Sequence, residues 1–164
     1  MSALLPTTPL TASGGNLWRI ARDGDAIGVD LYSRHYSARR YADGRPRSLF
    51  VGPGEKLVLI SHDDLALFVW RRFISMDDQR GINCAVFRNE SPALASDLIC
   101  EADALADERW PDEPRHYTYV APGRIRSTNP GFCFMAAGWS RCGLTKGGHG
   151  RDRLVILERL RGPQ

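Results

Sequence analysis

The sequence lacks any apolar run approaching the ~20 residues that a transmembrane helix requires. Its longest apolar stretches, such as Leu65 to Trp70 and Leu154 to Leu157, are strand-sized, so no membrane partner is expected. Residues 1–16 have neither a basic start nor a long apolar centre. They read as a flexible leader rather than a targeting peptide, ahead of a single domain at 17–164. The four cysteines, Cys84, Cys100, Cys133 and Cys142, form no CxxC pair and no zinc-ligand spacing, which argues against a zinc site. Buried thiols in a reducing cytoplasm are expected of them, since pairing would require export and nothing else in the chain suggests it. Internal repeats and low-complexity tracts are also missing.

What is present is an ordinary globular composition: 164 residues, 43% hydrophobic and 25% charged, enough for one core. The net charge of +3 is small, but it is unevenly spread. Residues 34–47 carry Arg34, Arg39, Arg40, Arg45 and Arg47 against the lone acid Asp43, with Tyr36 and Tyr41 interleaved. Glycine, proline and serine make this stretch a loop, long enough to be functional rather than connective. The opposite sign collects between Glu101 and Glu113.

Several elements are legible. Leu17–Ala21 and Ala26–Tyr32 are short apolar pieces of undecided type around the turn Asp23-Gly24-Asp25. Lys56–Ser61 and Leu65–Arg71, joined by His62-Asp63-Asp64, form an antiparallel hairpin. Gly81–Arg88 is a buried strand. Ser91-Pro92 then announces a helix whose apolar face is Leu94, Leu98, Ala102, Leu105 and Ala106, ending near Trp110-Pro111. The acids Asp97, Glu101, Asp103, Asp107 and Glu108 belong to a solvated face. His116–Val120 alternates as a half-buried strand with Tyr117 and Tyr119 on one side. Asn129-Pro130 opens a short helix stopping around Gly138, and Arg153–Arg159 closes as a strand. The four tryptophans are expected in the core, and His62 and His149 in exposed turns.

This order, within an α/β (α+β) class with a mixed, largely antiparallel sheet flanked by helices, resembles the GNAT acyltransferase fold, in which a splayed sheet holds the acyl donor. The local wording is more specific: RHYS at Arg34–Ser37, FRNES at Phe87–Ser91, SDLI at Ser96–Ile99, YTYV at Tyr117–Val120, and NPGFCFMAAGW from Asn129 to Trp139. Together these resemble the Mom family, the GNAT-like DNA modification proteins of phage Mu and related phages and prophages. The resemblance implies a transferase in the cytoplasm of a bacterial host, moving a glycine-derived carbamoylmethyl group to adenine N6 and so shielding phage DNA from restriction. Carried over by motif, His35, Tyr36 and Tyr119 would be catalytic, with Asp112 a looser match. Arg88, Asn89, Ser91 and Ser96 would bind substrate. The resemblance also implies iron held by His35, Tyr36 and Tyr119. One departure stands out, because GNAT enzymes cradle the pyrophosphate of coenzyme A in a glycine-rich RxxGxG turn. Here the turn is Arg88-Asn89-Glu90-Ser91-Pro92, so the donor is left open between an acyl-coenzyme A and another glycine-derived compound.

Adenine N6 is a poor nucleophile, its lone pair delocalised into the ring, so positioning and proton removal are required. Tyr36, Tyr119 and His35 are residue types suited to that task. A base in a duplex must also be extruded to be reached. Arg34, Arg39, Arg40, Arg45 and Arg47 could hold phosphates of the DNA partner, and Tyr41 could stack on a base. The alternatives are an N-acetyltransferase acting on a metabolite or protein amine with acetyl-coenzyme A, and a non-catalytic DNA-binding module. Oligomeric state stays open, a homodimer included.

Overall fold

The computed structural model describes residues 17–36, 38, 42–43, 48–75, 77–122, 131–147 and 153–162. In chain order the elements are β1 (Trp18–Ala21), α1 (Ala26–Ser33), β2 (Glu55–Ser61), β3 (Ala66–Arg72), β4 (Ile82–Asn89), α2 (Ala95–Arg109), β5 (Arg115–Val120), α3 (Phe132–Ala136), β6 (Ser140–Leu144) and β7 (Val155–Leu160). The strands form one sheet in the order β1-β2-β3-β4-β5-β7-β6. Every neighbouring pair is antiparallel except β4 and β5, which run parallel. No described helix is long and apolar enough to cross a membrane.

The hairpin explains why the centre of the sheet is dry. Leu57 to Ile60 and Ala66 to Trp70 are apolar at every position, so both faces of β2 and β3 demand cover. On one face Leu57, Leu59, Phe68, Trp70, Ile82 and Cys84 pack under Leu98, Ile99, Ala102 and Ala106 of α2 and Phe134 of α3. On the other, Val58, Ile60, Leu67, Val69 and Val86 meet Leu31 and Tyr32 of α1, with Phe50. Trp18, Trp70, Trp110 and Trp139 are all buried, as expected. Buried indoles need acceptors, and three find them on α2: Trp18 Nε1 donates to Leu98 O, Trp70 Nε1 to Ala102 O and Trp139 Nε1 to Asp103 Oδ2, each at 2.9 Å.

Four expectations are corrected. Helix α2 begins at Ala95 behind Leu94, which offers no side-chain cap. Ser91 instead closes a local turn, donating to Asn89 Oδ1 (2.6 Å) and accepting from Ala93 N (3.2 Å), a contact that competes with helix capping. Second, the acidic face of α2 is not all solvated. Glu101 is buried, its Oε2 accepting from the Leu17 and Trp18 amides at 2.8 and 3.0 Å, while Leu94 is exposed. Asp103 is buried beside His116 of β5, with 2.7 Å between Oδ1 and Nδ1, and accepts from Trp139 Nε1 at 2.9 Å. Third, Cys100 and Cys142 are exposed, Cys133 is half-buried and only Cys84 is buried; all four are free thiols. Fourth, β6 was not anticipated, because Ser-Arg-Cys-Gly-Leu has no alternation and is exposed throughout. Pairing with β7, from Ser140–Glu158 to Leu144–Val155, makes it a strand. The undecided pieces resolve as β1 and α1, and α3 starts behind Gly131; Asn129, Pro130 and His149 lie outside the described residues.

Candidate functional site

The parallel seam among the described strands creates the site. Strands β4 and β5 pair at Ile82–His116, Asn83–Tyr117 and Cys84–Thr118. Beyond that β4 stays with β3 as far as Asn89–Ala66, and β5 stays with β7 as far as Val120–Val155. The Thr118 hydroxyl donates to Cys84 O (2.9 Å) where the ladder stops. The strands then part around a cleft of about 340 Å³, lined by Cys84 to Phe87, Thr118 to Val120, Gly131 to Phe134, and His35 with Tyr36. Gly131 closes its floor: at φ 82° it favours glycine, and a Cβ there would lie 2.4 Å from Leu157 Cδ1.

His35 and Tyr36 reach the cleft from the end of α1. That helix starts at Asp25, whose carboxylate accepts from the Ile27 amide at 2.9 Å. The two rings stack at 4.4 Å and 28°. Their backbone is pinned by the preceding residue, since Arg34 makes a two-pronged contact with Glu90, Nε to Oε2 at 2.8 Å and Nη2 to Oε1 at 3.0 Å. Arg34 also reaches Asp30 at 2.9 Å, and Arg88 Nε joins Glu90 Oε2 at 2.9 Å. The hydrogen bonds from Arg34, then those from Arg88, hold the Glu90 carboxyl down at about 2. Burial, and then the charge of Arg88, push His35 down to about 4 against a hydrogen bond with the Phe87 backbone, so the imidazole is neutral at pH 7.

Tyr119 lines the facing wall, and its hydroxyl donates to Asp77 Oδ1 at 2.7 Å. Burial first, and then that bond, raise the ionisation of the phenol well above the ordinary tyrosine range. Burial works to raise Asp77, but the bonds from Tyr119 and Ser75 outweigh it and hold the carboxyl low. The thiols of Cys84 and Cys133 are pushed up by burial, which makes them poor nucleophiles.

The structure brings His35, Tyr36 and Tyr119 into one cleft, with Arg88 at the end of the adjoining strand. Asn89 and Ser91 form the β4–α2 turn, and half-buried Ser96 stands in the first turn of α2; none of the three lines the cleft. Asp112 is exposed in the turn before β5, at the opposite end of that strand from the cleft. Arg39, Arg40, Tyr41, Arg45 and Arg47 lie outside the described residues. Within the β4–α2 turn the amides face inward: Glu90 N donates to Leu65 O at 2.8 Å, Ser91 N to Asn89 Oδ1 at 2.9 Å and Ala93 N to Ser91 Oγ at 3.2 Å. Pro92 has no N–H, so residues 90–93 offer no ready backbone cradle to a phosphate.

The arrangement of His35, Tyr36 and Tyr119 gives no support to iron. Tyrosine ligates iron as a phenolate, and here the Tyr119 hydroxyl is spent on Asp77 at 2.7 Å, a bond that a ligand role would have to break. Among the described residues, no group of three or more His, Cys, Asp or Glu could hold a metal ion.

The functional partners hardest to see in the sequence were Asp77 and Glu90. Only the Ser75-x-Asp77-x-Gln79 spacing, which suits a hydroxyl-centred turn, hinted at the first.

No protein-family model matches the chain, and no curated protein does. Solved structures do. The aminoglycoside acetyltransferase AAC(6')-Ib, in complex with coenzyme A, superposes with a TM-score of 0.59 at 14% identity, covering 88% of this chain and 94% of that one. A spermidine N-acetyltransferase variant from Vibrio cholerae gives 0.59 at 13%, covering 88% and 92%. A GNAT-family acetyltransferase from Bacillus anthracis gives 0.57 at 12%, covering 89% and 96%. The fold is that of the GNAT acetyltransferases.

Proposed function

We propose that this protein is a transferase that moves a small acyl-type group onto an amino nitrogen held in the β4–β5 cleft. The observation that carries the reading is the convergence of His35, Tyr36 and Tyr119, from distant parts of the chain, on the notch where the two strands part. The solved neighbours support the reaction class and a coenzyme A thioester as donor: two are N-acetylating or aminoglycoside-acetylating enzymes by name, and one was solved with coenzyme A. On this first reading the acceptor is a metabolite or protein amine.

A second reading narrows the acceptor to adenine N6 in DNA, and the lining of the cleft favours it. Among the described residues that line the cleft none is acidic, and the nearest carboxylates, Asp77 and Glu90, are already engaged by Tyr119 and by Arg34 with Arg88, so a polycationic amine would meet little unspent counter-charge. Phe87, Phe132, Tyr36 and Tyr119 instead suit a flat, neutral heteroaromatic ring. The motif resemblance of RHYS, FRNES and YTYV points the same way. An extruded adenine would lie between these rings, Tyr36 or Tyr119 would take the proton released by N6, and the arginines that follow Tyr36 in the sequence would meet phosphate.

Mass spectrometry of nucleosides from DNA of cells expressing the protein separates the readings. A new adenine adduct that Tyr36→Phe abolishes supports the second. Unmodified DNA, together with acetyl-coenzyme A turnover on a small amine, supports the first. Neither product would sink both.

A further inference from the structure

The segment between β3 and β4 is fastened to β5 in a way that core packing does not require. Arg115 of β5 donates through Nη1 to Arg80 O (2.7 Å) and through Nη2 to Gln79 Oε1 (2.9 Å). Ser75 is buried and organises the turn, accepting from Gln79 N at 2.7 Å and donating to Asp77 Oδ1 at 2.7 Å. Asp78 adopts φ 60°, a conformation that non-glycine residues hold only when their surroundings fix it. The effect of this construction is to present one carboxylate oxygen of Asp77 at once to the Ser75 and Tyr119 hydroxyls, both at 2.7 Å. Two hydroxyl donors leave that carboxyl ionised, and its exposure connects it to bulk water.

We infer that Asp77 is a positioning residue that acts through Tyr119, orienting the phenol and receiving its proton when Tyr119 takes one from the acceptor amine. The inference rests on the transfer reaction proposed above. The nitrogen lone pair forms the new N–C bond, and the bond from that carbon to the leaving group breaks with its pair on the leaving group. The proton released by nitrogen goes to Tyr119 Oη as the phenolic proton passes to Asp77 Oδ1, and water then removes it. The phenol finishes neutral. A tyrosine that resists ionising can therefore relay a proton without ever standing as free phenolate.

The test uses the full chain with Asp77→Asn, Asp77→Glu, Tyr119→Phe and the Asp77→Asn/Tyr119→Phe double variant. All four are checked for native melting, and two readouts are taken. The first is NMR titration of Cζ-labelled tyrosine, which needs no substrate: Asp77→Asn is expected to bring the Tyr119 titration down by one pH unit or more. The second is adduct yield per adenine in DNA from expressing cells. Asp77→Asn and Tyr119→Phe should each lower it tenfold or more, the double variant should be no worse than Tyr119→Phe, and Asp77→Glu should recover part of the loss. An unmoved titration overturns the coupling whether or not transfer is detected. Wild-type yield in Asp77→Asn, or a double variant that multiplies the two losses, overturns the proton role alone. A moved titration without any wild-type adduct leaves the coupling standing and sinks the adenine reading.

Discussion

Two ion clusters built from the same side-chain chemistry stand on opposite sides of this molecule, and burial gives them different roles. Under α2, His116 and Asp103 are 1% and 4% exposed, joined by Asp107 and Arg159. At the rim of the cleft, Arg34 and Glu90 are 42% and 24% exposed, joined by Arg88 and Asp30. The inner cluster ties α2 to β5 and to the end of β7, holding the core. The outer one orders the backbone of His35 and Tyr36, in water that screens its charges.

The sharpest way to break the comparison is to remove Asp103. Asp103→Ala leaves His116 and the Trp139 indole without their buried acceptor, and about 3–5 kcal/mol of stability should be lost in urea unfolding. A loss under about 1 kcal/mol would mean that the inner cluster behaves like a surface pair. Trp139→Phe removes one donor from Asp103 and shrinks a buried ring packed against Trp70 and Phe134, and it should cost about 1–3 kcal/mol by the same measurement.

Acidity separates the clusters further. Folded His35 protonates only near pH 4 against 6.5 for an ordinary histidine, so between those values the unfolded chain binds more protons. Stability should therefore be complete above pH 6.5 and fall as pH drops toward 4, with His35→Gln removing that slope. Glu90 acts in a lower window: its contribution is present above the ordinary 4.5 and fades toward about 2. The smallest effect belongs to Glu90→Gln, which should change stability at pH 7 by less than about 1 kcal/mol. It should nevertheless lower the His35 titration further, followed by NMR, because Arg88 is left with less compensation.

What could be read from the sequence follows the same divide. The β2–β3 hairpin, β4, β5 and β7 were legible because their apolar runs and turn residues are local signals. The convergence of Tyr36 with Tyr119 was reachable only through motif resemblance, since no periodicity links residues so far apart. Glu101 and Asp103 were misread because helical spacing marks a face without saying what packs on it; their partners, the Trp18 amide and His116, arrive from other elements. Ser91-Pro92 failed as a helix start because the serine oxygen accepts from the Ala93 amide in a local turn, ahead of the first helical residue Ala95. Strand β6 was invisible for a related reason, as its order comes from β7 rather than from its own residues.

The three-rung seam between β4 and β5 has a mechanical side. A sheet joined there so briefly behaves as two boards meeting at a short joint, and a molecule wedged into the opening becomes the next rung. Occupancy and stiffness are then one event: whatever the protein grips should slow amide exchange on both boards together, including at positions it never touches.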